Sequence, residues 1–507
     1  MRNVLEYLER AAKQAPEKIA VIDEKGQIDY QTLLCVSQKV GSCLLERDVH
    51  RNRPVPVFME KGIEALSAFF GILYAGCFYV LLNPELPEAR LKTMVERLEP
   101  EVLLTDEEHR EAAAALVSEE KVVLISRASQ TEVDETGLAE VRAQAIDTDP
   151  LYANFTSGST GVPKGVVIGH RSVIDFIDVF TQTFGFRPED RFANQAPFDF
   201  DVSVKDIYTS LCCGATLVIV PRRLFSLPVE LLDFLCDQKV TVMVWAVSAL
   251  CLITTFHGLD YKVPSTVRKI LFSGEVMPMK HLKQWMEKLP EAEFVNLYGP
   301  TEITCNCAYH VIDRARDYGD TIPTGKAFPN ERVFLLDGDR LVTEAEQVGE
   351  ICVAGSALAL GYFMDPEQSD LHFMQNPLTK GYYDRIYRTG DLACWNQEGE
   401  LVFKGRKDFQ IKYQGHRIEL EEIESAMNNV EGVERSCCVF DERRSRLFGY
   451  YVGSLDPVDL ERELLKTLPA FLVPKRLLPI EAMPMTKNGK IDRKELLERA
   501  VSRRRSS

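Results

Sequence analysis

Short apolar segments alternate with helical patterns along most of the chain, from about residue 17 to about residue 360. One series is VPVFME, IEALSAFFGILYAG and YVLL (55–82), and a later one is ATLVIV, VELLDFLCDQ and VTVMVW (215–245). A strand followed by a helix and another strand is typical of parallel βαβ units. The alternation therefore predicts a doubly wound α/β body with a largely parallel sheet.

The pattern changes after residue 360. The segment GELVFKGRKDFQIKYQGHRIEL (399–420) reads as alternating strands separated by glycines, and the helical and strand patterns LEEIESAMNNV, RSCCVF, RLFGYYVG and LERELLKTL (420–468) follow it. Such a mixture is typical of a compact α+β domain. We therefore predict a domain boundary near Asp408, with a large domain over residues 1–407 and a small one over residues 408–507.

Composition excludes several classes of protein. The net charge of −16 argues against general nucleic-acid binding, which needs clustered Lys and Arg. The 13 Cys form no CxxC pair and the 8 His form no HExxH motif, which argues against a disulfide framework and a dedicated metal site. The N-terminal segment 1–21 resembles an amphipathic helix rather than a signal peptide, and Glu64 and two glycines interrupt the most apolar stretch, 63–82. We expect a cytoplasmic protein without a membrane-spanning segment.

The strongest local motif is TSGSTGVPKG (156–165), which follows the apolar run LYANF. Its glycines let the backbone approach a ligand closely, while hydroxyl groups, backbone N–H groups and a lysine can surround phosphate oxygens. The motif is not a Walker A loop, because Pro163 stands where GxxxxGK[ST] requires Gly. An ordinary surface loop rich in Gly and Ser is the alternative. The predicted phosphate-binding residues are Thr156, Ser157, Gly158, Ser159, Thr160, Gly161 and Lys164.

Further motifs recur across nearly the whole chain: AGCFYVLLNPELP (75–87), FDFDVSVKDIY (198–208), NLYGPTE (296–302), GEICVAGSALALGY (349–362), YRTGDLA (387–393), GRKDFQIKYQGHRIELEEIE (405–424) and NGKIDRKEL (488–496). With the phosphate loop, this ordered series resembles the adenylate-forming superfamily of acyl-CoA synthetases, luciferases and nonribosomal peptide synthetase adenylation domains. The resemblance implies a large α/β body with a β-barrel-like part, a small mobile C-terminal α+β domain, and a reaction that uses ATP and Mg²⁺ to form an acyl adenylate.

Three of these motifs carry side chains suited to a nucleotide. Tyr298 offers an aromatic face for adenine, Gly299-Pro300 forces a turn, and Glu302 offers a hard oxygen ligand for Mg²⁺. Asp391 can accept both ribose hydroxyls, and Arg406 is similar to the family's ribose-contacting arginine. An Asp or Arg isolated from such motifs would carry no functional meaning. The resemblance assigns these residues to the nucleotide: Asn296, Leu297, Tyr298, Gly299, Pro300, Thr301, Asp391, Phe403, Lys404, Gly405, Arg406 and Lys490.

Lys490 matches the catalytic lysine of the family, which bridges the substrate carboxylate and the α-phosphate of ATP. The chemistry requires such a cation, because a carboxylate must attack a phosphate and both are anions. Members of the family rotate the small domain between the two half-reactions, about a residue that matches Asp408. A lysine in a Gly-flanked loop is otherwise simply solvated.

The substrate prediction starts from Asp201 in FDFDVSV, which matches the aspartate that binds the α-ammonium group in amino-acid-activating members. A carboxylate in an apolar pocket is costly unless a cation pairs with it, so it favours amino acids over fatty acids. Lys205 and Trp245 are predicted to line the side-chain pocket, where an indole would favour a small side chain and a buried lysine an acidic one. The remaining predicted substrate-binding residues are Val202, Ser273, Gly274, Cys305 and Lys490.

Within the superfamily the chain resembles the D-alanine–carrier protein ligases most, through FDVSVKDIY (200–208), LFSGEVMP (271–278) and GRKDFQIKYQGHRIELEEIE. HRSV (170–173) instead resembles peptide synthetase adenylation domains, and Leu81 and Asn83 depart from the family pattern. The resemblance implies transfer to the phosphopantetheine thiol of a carrier protein, with Gly415 beside the channel of the thiol.

Four functions follow from the sequence. We predict a ligase that activates D-alanine for a carrier protein. The alternatives are a free-standing adenylation enzyme for another small or acidic amino acid, an acyl-CoA ligase, and a catalytically silent homologue that acts as a binding protein.

Overall fold

The computed structural model describes residues 1–158, 163–319, 321–413, 415–442, 444–486 and 491–502. The strands, in chain order, are β1 (Ile19–Ile22), β2 (Gln27–Asp29), β3 (Pro54–Phe58), β4 (Phe78–Leu82), β5 (Leu103–Thr105), β6 (Val122–Leu124), β7 (Pro150–Thr156), β8 (Lys164–Gly169), β9 (Arg191–Asn194), β10 (Thr216–Ile219), β11 (Val242–Ala246), β12 (Lys269–Ser273), β13 (Glu293–Tyr298), β14 (Ala308–Val311), β15 (Lys326–Ala327), β16 (Glu331–Asp337), β17 (Arg340–Val342), β18 (Gly349–Gly355), β19 (Gly361–Tyr362), β20 (Phe373–Gln375), β21 (Arg385–Trp395), β22 (Leu401–Arg406), β23 (Gln410–Tyr413), β24 (His416–Glu419), β25 (Val433–Asp441), β26 (Arg446–Gly453) and β27 (Arg476–Pro479).

The helices, in the same order, are α1 (Leu5–Gln14), α2 (Tyr30–Leu45), α3 (Ile63–Tyr74), α4 (Glu88–Leu98), α5 (Arg110–Ala114), α6 (Ile125–Ala128), α7 (Glu135–Gln144), α8 (His170–Phe184), α9 (Val202–Cys213), α10 (Pro228–Asp237), α11 (Val247–Thr255), α12 (Gly258–Tyr261), α13 (Met279–Lys288), α14 (Pro366–His372), α15 (Leu420–Asn428), α16 (Pro457–Leu464) and α17 (Arg493–Ser502). Short 3₁₀ helices occupy Glu119–Lys121, Arg222–Ser226 and Thr301–Ile303. Among the described helices, none combines the length and the apolar content needed to cross a bilayer.

The chain forms two compact units. The first comprises Met1–Asn83, Pro100–Asn154 and Gly165–Lys407, and the second comprises Pro84–Glu99, Phe155–Lys164 and Asp408–Ser507. Two segments that the predicted domain boundary assigns to the large domain, Pro84–Glu99 and Phe155–Lys164, therefore belong to the second unit. The division into functional domains at residues 407 and 408, and the mobility of the small domain, stay predictions.

The first unit contains two largely parallel sheets. One has the order β15-β14-β13-β12-β11-β9-β10-β1-β2, in which the strands from β13 to β1 run parallel. The other has the order β19-β8-β7-β4-β3-β5-β6. The helix α3 and the strand β4 form the apolar stretch 63–82, and their residues are almost all buried, as the sequence predicts for a buried helix followed by a strand.

An antiparallel sheet completes the first unit. Its order is β17-β16-β18-β21-β20, and β22 pairs with β21. In the second unit, β23 and β24 form a hairpin, and β25, β26 and β27 form a sheet that packs with α15 and α17. The predicted fold class, a large α/β body with a smaller α+β part, is confirmed. The parallel strands β9, β11, β12 and β13 have their carboxyl ends on the same side of the first sheet. Ligands bind at the carboxyl ends of the strands in such folds.

Candidate active site

Asp201 lies at the N-terminus of α9, beyond the carboxyl end of β9. Its side chain is partly buried, and burial raises the pKa of the carboxyl group, whereas Lys205 and a hydrogen bond with Thr301 lower it. The backbone N–H of Val202 also faces the carboxylate. The thiol of Cys305 donates to the backbone carbonyl of Asp201 at 3.1 Å. The structure thus brings three other predicted substrate residues, Val202, Lys205 and Cys305, next to Asp201.

Lys205 is on the same helix and is 1% exposed. Its ammonium group donates to Asn306 Oδ1 at 2.7 Å and lies 3.5 Å from the hydroxyl of Ser273. Burial lowers the pKa of Lys205, while Cys305 and Asp201 raise it. Asn306 is a site residue that the sequence reasoning missed, and its place one residue after Cys305 was the only signal available.

Backbone conformation explains why Asn306 reaches Lys205. Thr304 and Cys305 both have a left-handed backbone, with φ of 53° and 75°. A Cβ on Gly299 would lie 2.5 Å from the Cα of Asn306 and 2.6 Å from the carbonyl oxygen of Cys305, so this close approach requires Gly. Consecutive left-handed non-glycine residues are strained and cluster at functional sites. The Gly299-Pro300 turn thus has a packing reason beyond the turn itself.

Trp245 packs in a different apolar cluster from Cys305, and its role in the side-chain pocket stays a prediction. Its indole is 0% exposed, and its N–H donates to the carbonyl of Ala193 at 2.8 Å. The ring packs against Phe225 with centroids 5.3 Å apart, in the apolar cluster that also holds Met243 and Phe272. Successive side chains of a strand point to opposite faces, and Val244 faces the cluster that contains Cys305.

The predicted ribose-binding residues form a second group in the first unit. Asp391 on β21 is 2% exposed, and the hydroxyl of Tyr298, at the end of β13, donates to its Oδ2 at 2.5 Å. Arg406 on β22 is directly opposite Asp391 in the ladder, and its guanidinium lies 2.5 Å from Oδ1. Burial and the neighbouring Asp391 raise the pKa of Tyr298 far above its ordinary value. Each carboxylate oxygen accepts about two hydrogen bonds, so further acceptor capacity remains for a ligand hydroxyl.

The other residues predicted for the nucleotide line β13 and β22. The side-chain amide of Asn296 donates to the carbonyl of Pro323 at 2.8 Å, and Leu297 is 3% exposed. On β22, Phe403 and Gly405 flank Lys404. The ammonium group of Lys404 lies 3.9 Å from Glu346, and its contact with the nucleotide stays a prediction.

Glu302 is the predicted Mg²⁺ ligand and is 1% exposed. Its Oε1 accepts a hydrogen bond from the hydroxyl of Tyr362 at 2.8 Å. A carboxylate oxygen fits the preference of Mg²⁺, which usually takes one or two protein carboxylates and completes its shell with phosphates and water. In the part of the chain that the structure describes, the group of three potential ligand residues is elsewhere, at Asp106, Glu108 and His109. Glu302 could supply the one protein carboxylate of such a shell, with nucleotide phosphates and water as the other ligands.

The phosphate loop is described in part, within the second unit. Thr156 ends β7, Lys164 begins β8, and the hydroxyl of Ser157 donates to the carbonyl of Arg417 at 2.7 Å. Gly158 follows Ser157. Ser159, Thr160, Gly161 and Lys490 lie outside the described residues.

The predicted hinge and thiol-channel residues also lie in the second unit. The carboxylate of Asp408 accepts the backbone N–H of Gln410 at 3.2 Å. Gly415 has a φ of 83°, a conformation that favours glycine, at the turn between β23 and β24. The roles of both residues stay predictions.

Comparison with known proteins now identifies the family. The family model described as AMP-binding enzyme matches residues 8–363. The chain therefore belongs to the AMP-binding enzymes, the adenylate-forming superfamily that its motifs resemble.

Relatives and solved structures agree with this family. Gramicidin S synthase 2 of Aneurinibacillus migulanus is 32% identical over 502 residues, which cover 98% of this chain and 11% of that protein. The crystal structure of IdnL1 is 28% identical with a TM-score of 0.83, over 95% of this chain and 99% of that one. Holo-PA1221, described as a nonribosomal peptide synthetase protein with adenylation and PCP domains, is 25% identical with a TM-score of 0.80, over 98% of this chain and 84% of that one. The chain spans less than half the length of the curated relatives that it matches.

Proposed function

We propose that the protein activates an amino acid with ATP as an aminoacyl adenylate and transfers the aminoacyl group to the phosphopantetheine thiol of a carrier protein. The observation that carries the proposal is Asp201, a carboxylate with a raised pKa at the edge of the parallel sheet. Such a group is costly unless a cation joins it, and the nearby Lys205 donates its hydrogen bonds to Asn306 and Ser273 instead. The α-ammonium group of an amino acid would supply a cation that the Asp201 carboxylate binds directly, beside the nearby charge of Lys205.

The nucleotide half of the reaction is assigned to the Tyr298, Asp391 and Arg406 group, with the loop 156–164 around the phosphates. In the first step, a carboxylate oxygen of the amino acid attacks the α-phosphorus of ATP and pyrophosphate leaves. Mg²⁺, held by Glu302 and the phosphates, would neutralise part of the phosphate charge. Lys490 is proposed to stabilise the charge that develops between the two anions.

In the second step, the thiolate of the carrier attacks the acyl carbonyl, a thioester forms and AMP leaves. Gly415 is proposed to leave room for the phosphopantetheine arm, because it has no side chain. Asp408 is proposed as the hinge between the steps. PA1221, which is described as containing adenylation and PCP domains, is a relative that agrees with a carrier as acceptor. The use of ATP agrees with the predicted cytoplasmic location.

The identity of the amino acid has two candidates. The motifs favour D-alanine, and the buried indole of Trp245, which packs in the apolar cluster with Met243 and Phe272, would favour a small side chain only if it also lines the pocket. Lys205, held by Asn306 and 3.5 Å from the Ser273 hydroxyl, favours a substrate with an acidic side chain. We therefore propose a small acidic amino acid as the second candidate.

ATP–pyrophosphate exchange over a panel of D- and L-amino acids tests the first step. Exchange with D-alanine alone would support the motif resemblance, and exchange with aspartate or glutamate would support Lys205 as the specificity residue. Exchange with no amino acid would contradict amino-acid activation and favour a silent homologue. Loading assays with CoA and with a holo-carrier protein then separate an acyl-CoA ligase from a carrier-protein ligase.

Two variants test the assignment of the small domain. Lys490→Ala should lower exchange by about 10²-fold or more, since it removes charge stabilisation from the transition state. Asp408→Pro should leave exchange largely intact and impair thioester formation. Equal loss of both steps in Asp408→Pro would count against the hinge.

A further inference from the structure

The proposed reaction assigns no role to Lys61. It lies in the connection between β3 and α3, and its side chain is partly buried. Its ammonium group lies 3.1 Å from Asn194 Oδ1, 3.0 Å from the carbonyl oxygen of Gln195, 3.3 Å from that of Asn194 and 3.4 Å from that of Ala196. Three N–H donors are thus shared among four oxygen acceptors, all on the segment 194–196.

This convergence of carbonyl groups sets the conformation of the segment. Successive carbonyls of an extended strand point in opposite directions, so three consecutive carbonyls can reach one atom only where the strand has ended. The strand β9 ends at Asn194, and Asp201 follows after a short connection. Carbonyl dipoles that point at one position repel each other unless a cation lies there. The charge of Lys61 therefore selects the exit path of the chain from β9 toward Asp201.

A second contact links Lys61 to the helix of the pocket. The side-chain amide of Asn194 donates to Asp206 Oδ2 at 3.0 Å, and Asp206 is on α9 next to Lys205. Asp206 is 0% exposed, and burial raises its pKa to about 7, whereas Asn194, Lys205 and Lys61 lower it. Asn194 thus links the ammonium group of Lys61 to α9, the helix that Asp201 directly precedes.

We propose that Lys61 is a positioning residue whose ammonium group holds segment 194–196 in the conformation that presents Asp201 to the ammonium group of the substrate. The role of Asp201 rests on the proposed function, whereas the effect of Lys61 on segment 194–201 does not. Lys61 acts through Asp201, so its loss weakens amino-acid binding and leaves ATP binding unchanged.

The kinetic test compares Lys61→Met, Lys61→Arg and the control Lys25→Met. Lys25 pairs with Glu64 of α3 at the surface, so the control removes a lysine contact near Lys61 in the chain without reaching segment 194–196. In ATP–pyrophosphate exchange, Lys61→Met should raise the KM for the amino acid about 10- to 100-fold, the effect of losing hydrogen bonds to a charged group. The KM for ATP should stay within about twofold, and Lys61→Arg should recover most of the loss. An equal rise of both KM values, or a control with the same effect, would overturn the proposal.

A pH profile separates positioning from a merely structural role. Burial lowers the pKa of Lys61 to about 7, with Asp206 and Asp199 raising it and Arg222 lowering it. The charged form dominates below that pKa, so the amino-acid KM of the unmodified enzyme should rise as the pH increases above about 7. Lys61→Arg keeps its charge and should lack this rise. The same rise in Lys61→Arg would contradict the proposal.

Hydrogen–deuterium exchange of the full chain decides the question without catalysis. Backbone amides of residues 195–206 should exchange faster in Lys61→Met than in the unmodified protein, by about tenfold, while they stay unchanged in Lys25→Met. Unchanged exchange there would overturn the proposal even if no amino acid were activated. An inactive wild-type protein with the expected exchange would instead refute the proposed function and leave the role of Lys61 standing. If Lys61→Met does not fold, the pH profile of Lys61→Arg decides.

Discussion

The two buried carboxylates of the first unit differ in how their charge is balanced. Asp391 is 2% exposed and already holds the hydroxyl of Tyr298 and the guanidinium of Arg406. Asp201 faces Thr301 and the N-terminus of its own helix, and the nearby ammonium group of Lys205 donates to Asn306. A carboxylate that is paired before a ligand arrives is rigid and must share its oxygens with the ligand. A carboxylate whose nearest cation makes its hydrogen bonds elsewhere gains more when the ligand brings a second cation.

The largest effect on activity is expected from a substitution of Asp201. Asp201→Asn should lower kcat/KM for the amino acid by about 10²- to 10³-fold, because a substrate cation would lose its buried partner. The KM for ATP should change little. A loss of ATP binding in Asp201→Asn would mean that this carboxylate belongs to the nucleotide instead.

Asp391→Asn should lower both the activity with ATP and the stability of the protein. It leaves the guanidinium of Arg406 without its buried partner, which should lower the free energy of unfolding by about 3 kcal/mol and kcat/KM for ATP by about 10²-fold. Denaturant unfolding and exchange kinetics measure the two effects.

The control for this variant is Asp384→Asn. Asp384 lies directly before β21 and is also buried. It pairs with an arginine of β16, Arg332. It should lose stability while keeping the KM for ATP. An equal rise of the KM for ATP in both variants would show that Asp391 acts through stability alone.

Lys205→Met tests whether the region around Asp201 selects the side chain of the amino acid. It removes a buried cation next to Asp201, so the preference for an acidic over a neutral amino acid should fall about tenfold. The free energy of unfolding should fall, because the buried carboxyl groups of Asp201 and Asp206 lose a nearby cation. Lys269→Met removes a lysine of β12 that pairs with Glu293 and serves as the control. An unchanged preference would argue that the Lys205 ammonium does not face the substrate.

The smallest effect is expected from Tyr298→Phe. It removes one hydrogen bond to Asp391, worth about 1 kcal/mol, so the KM for ATP should change about fivefold while the aromatic ring remains. The hydroxyl of Tyr152 is buried and has no hydrogen-bond partner among the described residues, which makes Tyr152→Phe a control. A Tyr298→Phe enzyme with an unchanged KM for ATP would show that this hydroxyl does not orient Asp391 for the nucleotide.

Local pattern predicted several elements well. The amphipathic segment at the N-terminus forms α1 (Leu5–Gln14), and the apolar stretch 63–82 forms α3 and β4. The pattern RLFGYYVG forms β26 (Arg446–Gly453). These elements follow from apolar periodicity and length, which neighbouring residues alone determine. The face of β11 on which Trp245 lies could not be predicted, because one position along a strand reverses the face of a side chain and only the register within the sheet fixes it.

By itself, the sequence determined the α/β class, the family motifs and the residue types that suit each ligand, because all of these are local patterns. The tertiary structure decided which of these residues meet. Tyr298 and Asp391 are 93 residues apart, and Lys205 and Asn306 are 101 residues apart, yet each pair is joined by a hydrogen bond. Lys61 likewise reaches a segment 133 to 135 residues away. Such contacts depend on strand order and loop conformation, and no property of the separate segments specifies either.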